Sequence, residues 1–591
     1  MCGIFAIVSK KRIPEKSILD GMAAIKKRGP DSTGEFRYKE LVLGHHRLSI
    51  IDNTQAADQP MFSSCGRFVI VFNGEIYNYQ ELRESLNSYN YNFISDSDTE
   101  VILALYKFEG ELSFKKLKGM FAFIIYDLKD EKLVVARDPY GIKPLYYAHF
   151  DDGIVFSSQV KSILATKLIP NKFSLNGVHS FFLFGNVQEP FTWFDKIYPI
   201  EQGTVNIYQN SFDVKVFKFN DIYCNWNTYL NRNVKLEFLQ SKVKEALFES
   251  VNRHMVADVK IGILLSGGID STLLVGILKE LGYKDIVGIT IVFDEYRGSN
   301  KDEGNRASIV AKHYDIKHIV RVVKKEEFLE DLDLIFSDMD QPTIDGINTW
   351  YATKAAKEAG LKVVLSGVGA DELFFGYDNF KKITLLKKIF DVIEYLFNSK
   401  VSKILLSKSL SVIFKNDRIK MLSKYGVSIP SLWFIKRSLF SFDQLVSEFG
   451  FTSDSINEFE KIVIQSISII GNERHKLGYL ETKLYMNNQL LRDSDWASMS
   501  HGVELRTPFV DVSLLENLKT LIPDFEYFGK KNILSGLTKI RIPKEILNPN
   551  KTGFSIPINL WLNGNLNNLP DFNKFYVEFV REKYNKSIES L

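Results

Sequence analysis

Three things are scarce in this 591-residue chain, and each scarcity closes off a class of function. Only three cysteines occur, Cys2, Cys65 and Cys224. They are too few and too scattered for a disulfide framework or a zinc site, which fits a reducing compartment and a cytoplasmic protein. Net charge is nearly absent: 75 Lys and Arg against 72 Asp and Glu leave +3. No global field therefore points to nucleic acid or to an anionic membrane, and the substrate is expected to be small. Long apolar runs are missing too, none approaching the roughly 18 residues of a membrane span, so no membrane insertion is expected. The apolar stretch Ile4-Phe5-Ala6-Ile7-Val8 has no basic segment before it and lysines directly after it, the wrong order for a signal peptide. Internal repeats and low-complexity tracts are also lacking.

What is present is an ordinary globular composition, 45% hydrophobic, 25% charged and 13% aromatic, in a chain too long for one core. Two large units are expected. Up to residue 205 short strands dominate, at 3–9, 41–43, 68–72, 121–127, 132–137 and 153–157, each broken by Gly, Asn or Asp. Helical periodicity at 17–27, 79–86 and 99–108 supplies enough helix to cover a sheet. Residues 206–235 are polar and aromatic without a sustained period and read as a connecting segment. From 236 to 591 the pattern changes. Strands at 260–265, 286–293, 318–322 and 361–365 alternate with helices at 271–281, 303–314, 326–337 and 349–359, which implies a parallel sheet with helices on both faces. Beyond about 380 the chain reads as mostly helical.

Cys2 follows Met1 and precedes Gly3, so loss of the initiator methionine would leave a cysteine with a free α-amino group. Such an amine, with a pKa of about 7.7 to 8.0, can act as general base for its own thiol. A cysteine near a terminus alone carries little weight. It is accompanied by H-H-R-L-S-I-I-D (45–52), F-N-G-E-I-Y-N (72–78) and S-D-T-E (97–100), in order along the first unit. Together these resemble the N-terminal-nucleophile glutaminase domain of class II glutamine amidotransferases, an α+β domain built as an αββα sandwich. The resemblance implies that Cys2 attacks the side-chain amide of glutamine. It further implies that Asn73 and the Gly74 N–H form the oxyanion hole, that Arg47 and Asp98 hold the α-carboxylate and α-ammonium, and that Glu75 helps place the substrate. Read singly, Arg47 and Asp98 are ordinary ion-pairing residues and Asn73-Gly74 is a turn.

In the second unit a strand leads into S-G-G-I-D-S (266–271) and then a helix. Two glycines and a helix N-terminus make a phosphate cradle, and the Gly-Lys-Ser/Thr ending of a Walker loop is absent. A second loop, S-G-V-G-A-D-E-L-F-F-G-Y (366–377), follows another strand and would lie at the same carboxyl edge. Asp270 and Asp371 are natural Mg2+ ligands beside phosphates. The first loop resembles the PP-loop of ATP pyrophosphatases, and the whole set resembles the asparagine synthetase family, to which L-L-R-D-S-D-W-A-S-M-S (490–500), V-E-L-R-T-P-F-V-D (503–511) and K-T-G-F-S-I-P (551–557) also conform. The resemblance implies an α/β PP-loop synthetase domain with a helical C-terminal part. Its ATP site would be formed by Leu265, Ser266, Gly267, Gly268, Asp270, Ser271, Val292, Ser366 and Gly367, and Lys551 would act in catalysis by neutralising the departing pyrophosphate. It implies glutamine, ATP and a carboxylate acceptor as substrates and allows a homodimer.

Two departures bear on the acceptor. Enzymes acting on free aspartate usually carry Glu where this chain has Val368, and Arg-Ala-Ser where it has D-Q-P-T-I-D-G-I-N-T (340–349). These features resemble homologues thought to amidate the uronic acid of surface polysaccharides. Aspartate, with Arg492 or Arg506 supplying the missing charge, is the other reading, and a non-catalytic homologue is a third that leaves Cys2, Asp270, Asp371 and Lys551 without explanation.

Overall fold

The computed structural model describes residues 2–209, 213–227, 234–299, 301–396, 418, 422, 426–467, 473–547, 556–563 and 572–589. Its first half is built from two six-stranded antiparallel sheets. One has the order β10 (Ile197–Pro199), β8 (Tyr146–Phe150), β9 (Gly153–Ser157), β1 (Cys2–Ser9), β3 (Leu41–Arg47), β2 (Ser32–Tyr38). The other has the order β12 (Asp213–Lys218), β11 (Thr204–Gln209), β7 (Lys132–Arg137), β6 (Gly119–Asp127), β5 (Phe68–Ile76), β4 (Met61–Phe62). Alternate residues of the central strands, Ile4 and Ala6, Leu41 and Leu43, Val69 and Val71, Ala122 and Ile124, close into one buried cluster between the sheets. Burying such a side chain stabilises by about 1.5–3 kcal/mol, so this layer fixes which face of every strand points inward. The opposite faces are covered by α1 (Glu15–Ala23) and α4 (Val160–Ala165) on one side and α2 (Tyr79–Leu86) and α3 (Asp98–Glu109) on the other, completing the αββα sandwich.

The second sheet runs on to Lys218, past the boundary expected at residue 205, because β11 and β12 form a hairpin on β7. The segment expected to be a connector therefore contributes an edge strand. Its outer position explains the missing signal: Val214 and Val216 stay half-exposed, and an edge strand needs no buried face. Strands β3 and β5 also extend beyond expectation, to Arg47 and Ile76. In both, the added stretch mixes a glycine with buried polar residues, His45, His46 and Arg47 in one and Asn73 and Glu75 in the other, which hide the apolar pattern of a strand.

The second half holds a five-stranded, all-parallel sheet in the order β15 (Lys317–Val323), β14 (Val287–Phe293), β13 (Ile261–Leu264), β16 (Val363–Leu365), β17 (Glu504–Arg506). The helices connecting these strands include α5 (Ile269–Glu280), α6 (Glu303–Tyr314), α7 (Lys325–Asp338) and α8 (Ile347–Glu358). The chain winds from β13 outward to β15 and then returns to the far side of β13, so the switch point lies between β13 and β16. That crevice is where ligands of such sheets bind. A continuous helix spans 473–499, with a π-helical stretch Glu481–Leu491 inside it, the kind of distortion that often marks a functional site. No helix among the described residues is long and apolar enough to cross a membrane.

Candidate active site

Cys2 opens β1 directly across from Arg47, the last residue of β3. The facing sheet brings Asn73 to the same place: the backbone N–H of Cys2 donates to Asn73 Oδ1 at 2.9 Å. With its oxygen so engaged, the buried Asn73 Nδ2 has no protein partner. Gly74 holds a φ of +155°, and a Cβ there would meet Met120 O at 2.1 Å, so only glycine fits. Phe121, across from Gly74, turns both its N–H and its C=O to Asp138, leaving the Gly74 N–H outside that ladder pair. Burial pushes the Cys2 thiol up, with a backbone hydrogen bond from Leu48 and the charge of Arg47 acting against it. Neither neighbouring histidine serves the thiol. His45 Nε2 faces Phe72 O at 3.1 Å and burial drops its pKa to about 3, while both ring nitrogens of His46 are engaged by Thr33 and Met22.

Glu75 and Asp98 close the far side. Asp98 caps the turn at Ile76, accepting its N–H at 2.8 Å, and burial pushes its pKa up to about 6. Glu75 rises well above the carboxylate range through burial, then through Glu504 and Asp98, with Arg506 Nη2 at 3.6 Å opposing them. Arg47 is buried, and its Nη atoms bond Thr54 O, Asp52 O, Ile51 O and the Asp58 carboxylate, so it also pins the 51–58 loop. Arg47 and Asn73 thus adjoin Cys2, Gly74 and Glu75 follow Asn73 along β5, and Asp98 is tied to the end of that strand at Ile76.

The second site is a cavity of about 480 Å³ at the switch point. Leu265, Ser266, Asp270, Ser271, Ser366 and Gly367 line it, as expected. The first loop is held by its own serine, whose Oγ accepts the Gly268 N–H at 3.2 Å and faces Ser271 Oγ at 3.2 Å. Gly267, at φ +67°, packs where a Cβ would strike Arg306 and Ala307. Val292 differs from expectation: its side chain is buried toward Gly304, and Thr290 and Ile291 of the same strand line the cavity instead. Lys551 lies outside the described residues.

Asp270 and Asp371 come together, both clasping Lys530 Nζ at 2.6 Å. Burial alone would lower the Lys530 pKa, but the two carboxylates hold it above the usual lysine range. Two carboxylates converging on one cation fit Mg2+, which takes few protein ligands and completes its shell with phosphate and water. Among the described residues no cluster of three or more metal-binding side chains occurs, so phosphate oxygens would have to supply the rest. Lys530 went unrecognised in the sequence because a lysine within G-K-K-N-I-L carries no motif of its own.

The same cavity is lined by Asp345, Glu372 and Asp493, together with Val368, Tyr377 and Tyr485. Burial, then Asp345, pushes Asp493 up to about 8, while its oxygens accept from Trp496 Nε1 at 2.9 Å and Thr343 Oγ1 at 3.0 Å. Burial, then Asp371, lifts Glu372 to about 7, where it accepts from Tyr377 OH at 2.6 Å. Glu372 and Asp493 were also missed, since acids inside D-E-L or R-D-S-D read as solvated charge. No Lys, Arg or His is among the described residues lining the cavity. Arg492 turns to Val187 O and Asn488, and Arg506 to His254 O, Val256 O and Glu504, so neither reaches it. Strand β17 stands between the sites: Leu505 lines the cavity, while Arg506 approaches Glu75 on the other face.

Residues 1–218 match the glutamine amidotransferase domain family, and residues 242–571 match the asparagine synthase family. Asparagine synthetase (glutamine-hydrolyzing) 1 of Bacillus subtilis is 32% identical over 589 residues, covering 96% of this chain and 89% of that protein. Amidase chry2 of Gibberella zeae is 27% identical, covering 96% and 90%. A putative asparagine synthetase (glutamine-hydrolyzing) 2 of Methanocaldococcus jannaschii is 33% identical over 402 residues, 64% of this chain and 76% of that protein.

Proposed function

Because the chain belongs to the asparagine synthase family of glutamine-hydrolysing carbon–nitrogen ligases, we propose that Cys2 releases ammonia from glutamine and that the cavity passes it to a carboxylate activated by ATP. The observation that carries the first half is the orientation of Asn73. Its oxygen is fixed on the Cys2 N–H, so its buried Nδ2 is a free donor beside the thiol. When the thiolate adds to the glutamine amide, the new oxyanion takes hydrogen bonds from Asn73 Nδ2 and the Gly74 N–H, donors whose value is realised in the transition state. The Cys2 α-amine, left by removal of Met1, takes the thiol proton and delivers it to the departing ammonia. A histidine base is not needed, consistent with both ring nitrogens of His46 being engaged and with His45 turning its Nε2 to Phe72 O. Ionised Asp98 holds the substrate ammonium, and the substrate carboxylate competes with Asp58 for Arg47.

In the second site the acceptor carboxylate attacks the α-phosphorus of ATP, forming an acyl-adenylate and releasing pyrophosphate. The Ser266–Ser271 loop and Lys530 hold the phosphates, and Lys551 neutralises the leaving group. Asp270 and Asp371 would hold Mg2+, which when bound offsets the charge building on pyrophosphate. Ammonia then displaces AMP, and Glu372, poised near neutrality, takes the proton it sheds. The free thiols Cys2, Cys65 and Cys224 support a cytoplasmic setting.

For the acceptor we propose a uronic acid rather than free aspartate. Aspartate would bring an α-carboxylate beside Asp345, Glu372 and Asp493, where no basic side chain is among the described lining residues and where Lys530, which reaches the cavity, is already clasped by Asp270 and Asp371. An unpaired buried charge costs several kcal/mol. Sugar hydroxyls, in contrast, donate to carboxylates. That one full-length relative is named an amidase fits a family whose acceptors vary. Screening aspartate against nucleotide-linked and lipid-linked uronic acids, with pyrophosphate release as the readout, tests this. A kcat/KM for aspartate of about 10⁴ M⁻¹s⁻¹ or more, usual for a native substrate, would refute it, and Val368→Glu would then change little.

A further inference from the structure

The nucleophile is tied to the ATP-using half of the chain by one buried arginine. Arg28 Nε donates to the backbone O of Cys2 at 3.0 Å. The same guanidinium turns its other edge to Asp495, with Nη1 and Nη2 donating to the two carboxylate oxygens at 2.7 and 3.0 Å. Both side chains are shielded, at 1% and 4% exposure, and Lys143 Nζ stands 3.8 Å from the same carboxylate. Arg28 cannot swing freely at its base either. The next residue, Gly29, lies so close to β3 that a Cβ would meet His46 O at 2.1 Å.

Asp495 sits on the Arg492–Met499 segment of the long helix, directly after Asp493 and Ser494, which line the ATP-site cavity. Residues two apart on a helix point about 200° from each other, so one short segment presents Asp493 to the acceptor and Asp495 to the glutaminase site. We propose that Asp495 is a positioning residue for Cys2: through the Arg28 fork it sets where the Cys2 backbone, and hence its thiol, stands relative to Asn73 and Gly74. This rests on the reading of Cys2 as the nucleophile. A planar, bidentate guanidinium–carboxylate pair fixes both distance and angle, and the Nε bond carries that fixed geometry to the Cys2 carbonyl. The glutaminase site is then completed by a residue of the other domain, and displacement of the long helix by cavity ligands reaches Cys2 through two links.

The test uses the full-length protein and glutamine hydrolysis alone, which requires no acceptor. Asp495→Asn keeps shape and one acceptor but loses the fork, and should lower kcat for glutamine by about 10- to 100-fold, the effect of a small misplacement of reacting groups. KM for glutamine, the Kd for ATP and the unfolding temperature should hold. The rate of Cys2 alkylation by iodoacetamide should change, and Asp495→Glu, which keeps the charge, should recover part of kcat. Wild-type kcat and alkylation rate in both variants would overturn the proposal. So would a joint fall of kcat, ATP affinity and unfolding temperature that Asp495→Glu repairs together, since that describes a residue holding domains rather than a thiol. If Asp495→Asn fails to fold, Asp495→Glu supplies the same kinetic comparison with the ion pair intact. Should Cys2→Ala still hydrolyse glutamine, the nucleophile assignment falls first and this proposal with it.

Discussion

The two sites of this chain differ in how firmly the protein itself fixes their polar groups. Around Cys2 the polar groups are buried and fixed: the Cys2 N–H on Asn73, Arg28 on the Cys2 carbonyl, Asp98 on Ile76. At the switch point the cavity is roomy, and its two central carboxylates grip Lys530. The contrast follows from the chemistry. Glutamine hydrolysis has one small substrate and a charge that appears at one oxygen, so rigid donors suffice. Adenylation must accept two polyatomic substrates and release pyrophosphate, so its charges have to exchange partners between steps.

That contrast can be broken most severely at Cys2. Cys2→Ala should abolish glutamine hydrolysis while ammonia-supported pyrophosphate release continues. Loss of both would show that the sites are not separable. Next in size, Asp270→Asn or Asp371→Asn should stop pyrophosphate formation, measured by an enzyme-coupled pyrophosphate assay, with glutamine hydrolysis retained. ADP and orthophosphate as wild-type products would contradict the adenylation chemistry. Asn73→Ala should depress kcat for glutamine by about 100- to 1000-fold, the usual range for one oxyanion donor, and a loss confined to KM would reduce Asn73 to a binding residue.

The mildest expected effect is on pH. In the proposed role Asp98 can hold a substrate ammonium only when ionised, and burial pushes its pKa up to about 6. KM for glutamine should therefore rise as pH falls below about 6, and Asp98→Asn should bind weakly at every pH. The linkage runs the same way for stability. A carboxyl whose pKa is raised in the fold binds its proton more tightly there, so its contribution is fullest below the unfolded value of about 3.9 and declines as pH rises toward 6. Bound glutamine should reverse that penalty, which a melting curve at pH 5 and 7 with and without glutamine would register.

Much of this was legible in residue order. The strand–glycine–helix sequence at 266–271 and the Cys2, 45–52, 72–78 and 97–100 segments marked both sites, because the groups that touch phosphate or an oxyanion lie on short continuous stretches whose backbone does the work. The β-rich first unit and the parallel sheet of the second followed from periodicity, whereas the sandwich arrangement came only with the family resemblance. Periodicity failed where polar residues were buried or burial was slight: β3 and β5 were cut short at Leu43 and Phe72, whereas they run on to Arg47 and Ile76, and the edge strand β12 was taken for a connector. The Val292 side chain packs toward Gly304 while Thr290 and Ile291 line the cavity, and motif proximity does not tell which side chain of a strand reaches a cavity.

The sequence by itself determined the two kinds of chemistry and the candidate residues for each, since these follow from local backbone shape and side-chain type. Only the tertiary structure decided what those residues face. Lys530 meets Asp270 and Asp371 across 260 and 159 residues of chain. Asp495 meets Arg28 across 467, and an acid-lined cavity gathers Asp345, Glu372 and Asp493 from three separate segments. Pairings of that kind carry no local signature, because a charged side chain reads alike whether water or a buried partner will balance it, and only the packed fold removes the water.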